Sequence, residues 1–203
     1  MMTKAKLPPR KLPIGVGFSS THSSLFTATR RLLNDVELAE EAGRRDVEEI
    51  RRKFSIDAQY SPTLDVELYA MAVAVFAAMT IEAAIDLYRV TRFGSQHPRS
   101  RQLREPMWKY LGNLLRDATG KHVDDDELLL AIVRRTFETR NALVHPVSSE
   151  IHYDTKGRPI APQEDDGFPE LDGNDARRIV ADLEAFFNEM TRLDPNGVGI
   201  LAI

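Results

Sequence analysis

The sequence contains no cysteine among its 203 residues. This absence excludes disulfide bridges, thiolate nucleophiles and cysteine-ligated zinc sites. A reducing compartment is the natural setting for such a chain, and we expect a cytoplasmic protein. The first residues are basic but lack the apolar core of a secretory signal, so we expect no secretion signal there.

Long apolar runs are also scarce. The most apolar stretch, residues 68–81, is followed at once by Glu82 and is interrupted again at Asp86. A run of this length is too short to cross a bilayer. It predicts a buried core helix, and we expect no membrane partner.

Signatures of the common cofactors and metals are absent as well. The chain has no Walker-type phosphate loop, no dinucleotide fingerprint, no HExxH pair and no EF-hand loop. His145 and His152 are too far apart in sequence to share a helix face and have no third ligand nearby. We therefore expect neither a cofactor nor a metal ion.

The formal net charge is only −4, but the charges are unevenly distributed. Residues 1–31 contain six basic groups and no acidic one, and residues 89–121 contain eight basic groups against two acidic ones. Residues 150–175 are instead acidic. Basic segments of this kind are typical either of a phosphate-binding face or of ordinary solvated helix surface, and both interpretations stay open.

Hydrophobic spacing predicts an all-α protein, an up-and-down bundle of four to five helices. Ser61 and Pro62 are suited to the N-cap and first position of the second helix, and Gly94 to its end. The predicted helices cover residues 24–54, 62–93, 106–120, 124–145 and 175–193.

These helices form one predicted domain, residues 23–203, preceded by a flexible basic arm at residues 1–22. A long insertion loop at residues 146–174 separates the last two helices. Within it, residues 150–160 alternate in a way that could form a small β-hairpin.

The end of the fourth predicted helix carries the most suggestive chemistry. Arg140 falls on the apolar, core-facing stripe, where an arginine needs a charged or hydrogen-bonding partner. Glu82 and Asp86 are the best candidates for that partner. Asn141 and His145 lie one turn apart on the neighbouring polar edge, and Pro146 ends the helix.

This residue set suits phosphodiester chemistry. A guanidinium binds phosphate through two parallel hydrogen bonds, and an imidazole can accept or donate a proton near neutral pH. RNA supplies its own nucleophile, the 2′-hydroxyl, so cleavage needs no metal. The spacing alone is weak evidence, because Arg92 and His97 repeat it elsewhere in the chain.

The segment Arg140-Asn141-Ala-Leu-Val-His145 resembles the Arg-x4-His motif of HEPN domains (higher eukaryotes and prokaryotes nucleotide-binding). The run from Ala77 to Tyr88, which contains Glu82, is similar to the second core helix of that family. The resemblance covers residues 60–193.

The resemblance implies a HEPN-like bundle that forms a homodimer with a composite active site. It also implies a metal-independent RNA endonuclease, a hydrolase of toxin–antitoxin or phage-defence type, with RNA and an antitoxin protein as candidate partners. Arg140 would hold the scissile phosphate, Asn141 would orient it, His145 would act as acid or base, and Glu82 would position Arg140.

Two other interpretations remain open. Some HEPN-like proteins are non-catalytic modules that bind RNA, a nucleotide or a second subunit. In the plainest alternative, Arg140 pairs structurally with Glu82 and His145 only ends a helix.

Overall fold

The computed structural model describes residues 21–144, 170–195 and 197. These residues form an all-α bundle, which confirms the predicted fold class. No strand occurs in these ranges, and both the hairpin expected at residues 150–160 and most of the N-terminal arm lie outside them. The helices, with a four-residue α3, are α1 (Thr21–Phe54), α2 (Leu64–Phe93), α3 (Ser100–Leu103), α4 (Met107–Thr119), α5 (Leu128–Val144) and α6 (Gly173–Leu193).

Helix α2 is the centre of the bundle and packs against α1, α4, α5 and α6. Its inner side is lined by small residues such as Ala70, Ala74 and Ala77, which let neighbouring helices approach closely. By length and composition α2 could also cross a membrane, and half of its most apolar window is buried inside the fold. Its packing against four other helices agrees with the predicted core role.

Polar contacts fix the relative directions of α2, α5 and α6. Arg192 pairs with Glu127 and Arg135 with Asp182, so α5 and α6 run antiparallel. Tyr88 donates a hydrogen bond to Asp194, which brings the carboxyl ends of α2 and α6 together. Helix α5 is therefore antiparallel to α2, and its last turns lie beside the first half of α2.

The helix starts differ from the predicted ones because capping side chains determine them. Thr63, not Ser61, is the N-cap of α2, and its hydroxyl accepts from the backbone N–H of Val66 at 3.5 Å. Helix α6 starts earlier than predicted, at Gly173, because Asp172 and Asp175 form a capping box there. Helix α5 starts four residues later than predicted, after a turn at residues 124–127.

Gly43 does not divide α1, which continues unbroken to Phe54. A Cβ atom at this glycine would lie 2.8 Å from Cε2 of Tyr60, so its absence lets α1 and the segment before α2 pack closely. Gly94 and Gly120 end α2 and α4 with positive φ angles of 87° and 71°, conformations that favour glycine.

Candidate active site

Arg140 and Asn141 lie in the last turn of α5 that the structure describes. Arg140 is half-buried and Asn141 is exposed, so both groups border solvent. The Nη1 atom of Arg140 donates to Oδ1 of Asn141 at 3.0 Å. This contact holds the guanidinium beside the carboxamide but leaves its charge unneutralised, because an amide oxygen carries no charge.

The carboxylates expected to compensate Arg140 lie towards the other end of the bundle. The rise per residue places Arg140 about level with Val75, so Glu82 lies roughly 10 Å further along the α2 axis. Among the described residues, the polar partner of Arg140 is Asn141 and no carboxylate. The register therefore does not favour a direct contact between Glu82 and Arg140 within one protomer.

Asp86 is already engaged with two other arginines. Its Oδ1 accepts from Nε of Arg89 at 2.9 Å and its Oδ2 from Nη2 of Arg99 at 3.2 Å. The expectation that Asp86 compensates Arg140 is therefore wrong. Its nearest cation is one turn away on the same helix.

Glu82 and Asp86 line a cavity of about 330 Å³ between α1, α2 and α4. Leu25 and Met107 form apolar parts of its walls, and Tyr110 contributes a phenol. Burial raises the pKa of Tyr110 to about 12, so this phenol stays protonated at neutral pH and donates to the carbonyl of Pro98 at 2.6 Å. Glu82 thus belongs to a polar pocket near the carboxyl end of α2, and its role in catalysis stays a prediction.

The second Arg-x4-His pair has a structural role. Nη2 of Arg92 donates to Oδ1 of Asp194 at 3.2 Å, and its Nε lies 3.0 Å from Oδ2. The ring of His97 stacks on Phe93 with centroids 4.8 Å apart. Because an acid neutralises Arg92 and an aromatic ring covers His97, this pair offers no open phosphate site.

The basic segment 89–121 is less basic at the surface than its composition suggests. The guanidinium of Arg89 is buried, with an exposed fraction of 2% for the residue. Arg92 and Arg99 are in ion pairs with acids. Their charges are therefore offset, and exposed groups such as Lys109, Arg116 and Lys121 carry what remains of the predicted basic face.

Sequence reasoning missed two buried polar centres, at Arg89 and at Asp194. Arg89 donates to the carbonyls of Gly94, Ser95 and His97, at 2.6 Å in the case of His97. Its signal was its position on the buried side of α2, one turn before the glycine that ends the helix. Asp194 had no comparable signal, because its partners are about a hundred residues away in the chain.

His145 lies outside the described residues, so the Arg140–His145 geometry stays a prediction. Comparison of the chain with family models, with characterised proteins and with solved structures finds no match. Arguments about function therefore start from the motif at the end of α5.

Proposed function

We propose that the chain is a metal-independent endoribonuclease of HEPN type that cleaves RNA at a site built on Arg140, Asn141 and His145, as a component of a toxin–antitoxin or phage-defence system. One observation carries the proposal. Of the two Arg-x4-His pairs in the chain, the arginine at residue 92 is neutralised by Asp194, whereas Arg140 borders solvent with a neutral amide as its partner.

A cation of this kind is suited to bind a phosphodiester. Two N–H groups of the Arg140 guanidinium can meet two phosphate oxygens and stabilise the charge that grows on them as the nucleophile adds. The Nη1 contact with Asn141 fixes the orientation of the guanidinium before substrate arrives. Preorganisation of this type lowers the cost of reaching the transition state.

The reaction transfers the phosphoryl group within the RNA. The 2′-oxygen bonds to phosphorus while the bond from phosphorus to the 5′-oxygen breaks, which leaves a 2′,3′-cyclic phosphate and a 5′-hydroxyl. In this proposal His145 removes the proton of the 2′-hydroxyl or returns one to the leaving oxygen. Glu82 is the weakest member of the set and would act only by positioning Arg140.

The test is cleavage of a labelled RNA in excess EDTA by the wild-type protein and by Arg140→Ala and His145→Ala. We expect each substitution to lower the rate by about 100-fold or more, in line with loss of a phosphate ligand or a general acid–base. A 2′-deoxy sugar at the cut site should block the reaction.

The chain offers matched controls for both variants. His97→Ala removes the histidine of the second pair, and Arg135→Ala removes an arginine of the same helix whose bond to exposed Asp182 is worth little. Both controls should cleave at the wild-type rate. Cleavage that survives in Arg140→Ala and His145→Ala would refute the assignment. Failure of the wild type on a broad set of RNAs would favour the non-catalytic binding module instead.

A further inference from the structure

The outward side of α2 is apolar although no helix covers it. We call it the outer face of α2. Leu64, Leu68 and Met79 on this face have exposed fractions of 68%, 52% and 43%. The residues of the face share one arc of the helical wheel and are Leu64, Leu68, Ala72, Val75, Met79 and Ala83.

This face is continuous, unlike the scattered apolar side chains that every protein surface carries. It contains no charged residue from Leu64 to Met79, and Tyr69 and Phe76 extend it along one edge. From Leu64 to Ala83 it is about 30 Å long. With the neighbouring helices at its edges, it offers a patch on the scale of the roughly 800 Å² that each partner contributes to a stable protein–protein interface.

We infer that the outer face of α2 binds the same face of a second copy of this chain, with the two helices antiparallel. A two-fold axis that passes between Val75 and Phe76 places Ala72 opposite Met79 of the second copy. The same axis places Leu68 opposite Ala83. Each large side chain thus meets a small one, so the face is complementary to itself, as an isologous interface requires.

The charges at the ends of the face favour a protein partner over a lipid surface. Asp65 flanks its start, and Glu82 and Asp86 lie on the same side of the helix beyond Met79. Inserting this side of α2 into a bilayer would take these carboxylates into or beside hydrocarbon, which is costly. In the antiparallel pair Asp65 instead lies near the exposed Arg99 that Asp86 binds, because position 65 is opposite position 86.

The pairing also has a consequence for the site, and this step rests on the proposed function. Arg140 is about level with Val75, which is next to the proposed axis. Two copies therefore place their Arg140 side chains at the same level on either side of the axis. A single RNA strand could then contact both motifs.

The mass of the protein in solution tests the pairing. We expect a dimer by sedimentation velocity at micromolar concentration, and a monomer for the double variant Leu68→Glu/Met79→Glu. The control is Leu128→Glu, which changes a leucine with a similar exposed fraction of 52% at the start of α5, where an acid is well tolerated. It should remain a dimer, and all three proteins should give the same helical circular dichroism.

Cysteine cross-linking tests the register without disturbing the apolar contact. The chain has no cysteine of its own, so a double variant Ala72→Cys/Met79→Cys carries the only thiols. The two positions are about 10 Å apart along one helix, too far for a disulfide within one copy. Oxidation should give a covalent dimer for the double variant and little for either single variant.

A wild-type protein that is monomeric at every concentration would overturn the inference, including one that binds vesicles of phosphatidylcholine as a monomer. An unchanged dimer in the double glutamate variant would overturn it too. The RNA assay is independent: a dimer with this register but no cleavage refutes only the nuclease, and a monomer that cleaves RNA refutes only the pairing.

Discussion

At the scale of single residues, the fold depends on a few buried polar groups that each have named partners. Asp194, with an exposed fraction of 2%, accepts from the hydroxyl of Tyr88 at 2.6 Å and from Arg92. Burial, together with the hydrogen bond to Asp194, raises the pKa of Tyr88, so its hydroxyl remains a donor. These contacts join the carboxyl ends of α2 and α6.

Tyr88→Phe should lower the free energy of unfolding by about 2 kcal/mol, because it removes one of two partners from a buried carboxylate. The ring is kept, so the packing term changes little. Urea unfolding followed by circular dichroism measures the difference. Tyr69→Phe removes an exposed hydroxyl and should change stability by less than about 0.5 kcal/mol; equal losses in both variants would contradict the role of Asp194.

Asp172 should make stability depend on pH through its cap on α6. The backbone N–H groups of Asp175 and Asn174 lower the pKa of this carboxyl in the folded state. Its contribution is therefore complete above the unfolded pKa, near about 4, and is lost as the pH falls through the lower folded value. Asp172→Ala should cost about 1 kcal/mol at pH 7 and less at pH 2.

Asp172→Asn is the matched control for that prediction. Asparagine caps a helix about as well as aspartate but does not titrate in this range. Chemical unfolding at pH 7 and pH 2 should therefore show a smaller pH dependence for Asp172→Asn than for the wild type. A wild type whose α6 cap contributes the same stability at both pH values would contradict the assignment.

At the scale of helices, the sequence predicted which segments are helical better than it predicted where they begin. Apolar periodicity spans whole helices, so five long helices could be read from it. Starts depend on which of several capping residues wins, and Thr63 replaced Ser61 because its hydroxyl reaches Val66. The four-residue α3 carries too few residues for a period and was missed.

The candidate site shows the same division. Local spacing placed Arg140 and Asn141 together on one helix end, and the structure describes them in contact. Which carboxylate meets which arginine depends on the register between helices, and one helix does not encode it. Asp86 therefore met Arg89 and Arg99 rather than Arg140.

Arg89 determines how α2 ends. Its buried guanidinium binds Asp86 and the carbonyls of Gly94, Ser95 and His97, so it replaces water for the chain that leaves the helix. Arg89→Met should lower the free energy of unfolding by about 3 kcal/mol, because it leaves these acceptors buried without donors. Thermal unfolding measures the loss.

Arg99→Met is the control for Arg89→Met, because it removes the other arginine bound to Asp86. The side chain of Arg99 is exposed, and such pairs contribute about 1 kcal/mol or less. A loss for Arg89→Met no larger than this would show that the carbonyls are satisfied in another way.

At the scale of the whole molecule, stability should be unequal between the bundle and the end of α1. Residues 44–54 continue α1 beyond its close contact with Tyr60 at Gly43. Almost all of these side chains are exposed, including Phe54 with an exposed fraction of 60%. Without tertiary packing, three turns of helix are marginal in water.

Hydrogen exchange followed by mass spectrometry should therefore find two classes of amide. Amides of residues 45–54 should exchange by local fraying, many orders of magnitude faster than those of the buried turns of α2, which require global unfolding. Adding urea below the transition should accelerate exchange in α2 much more than in this extension, because global unfolding exposes far more surface. Equal protection of both segments would contradict the prediction and would mean that the end of α1 belongs to the same cooperative unit as the core.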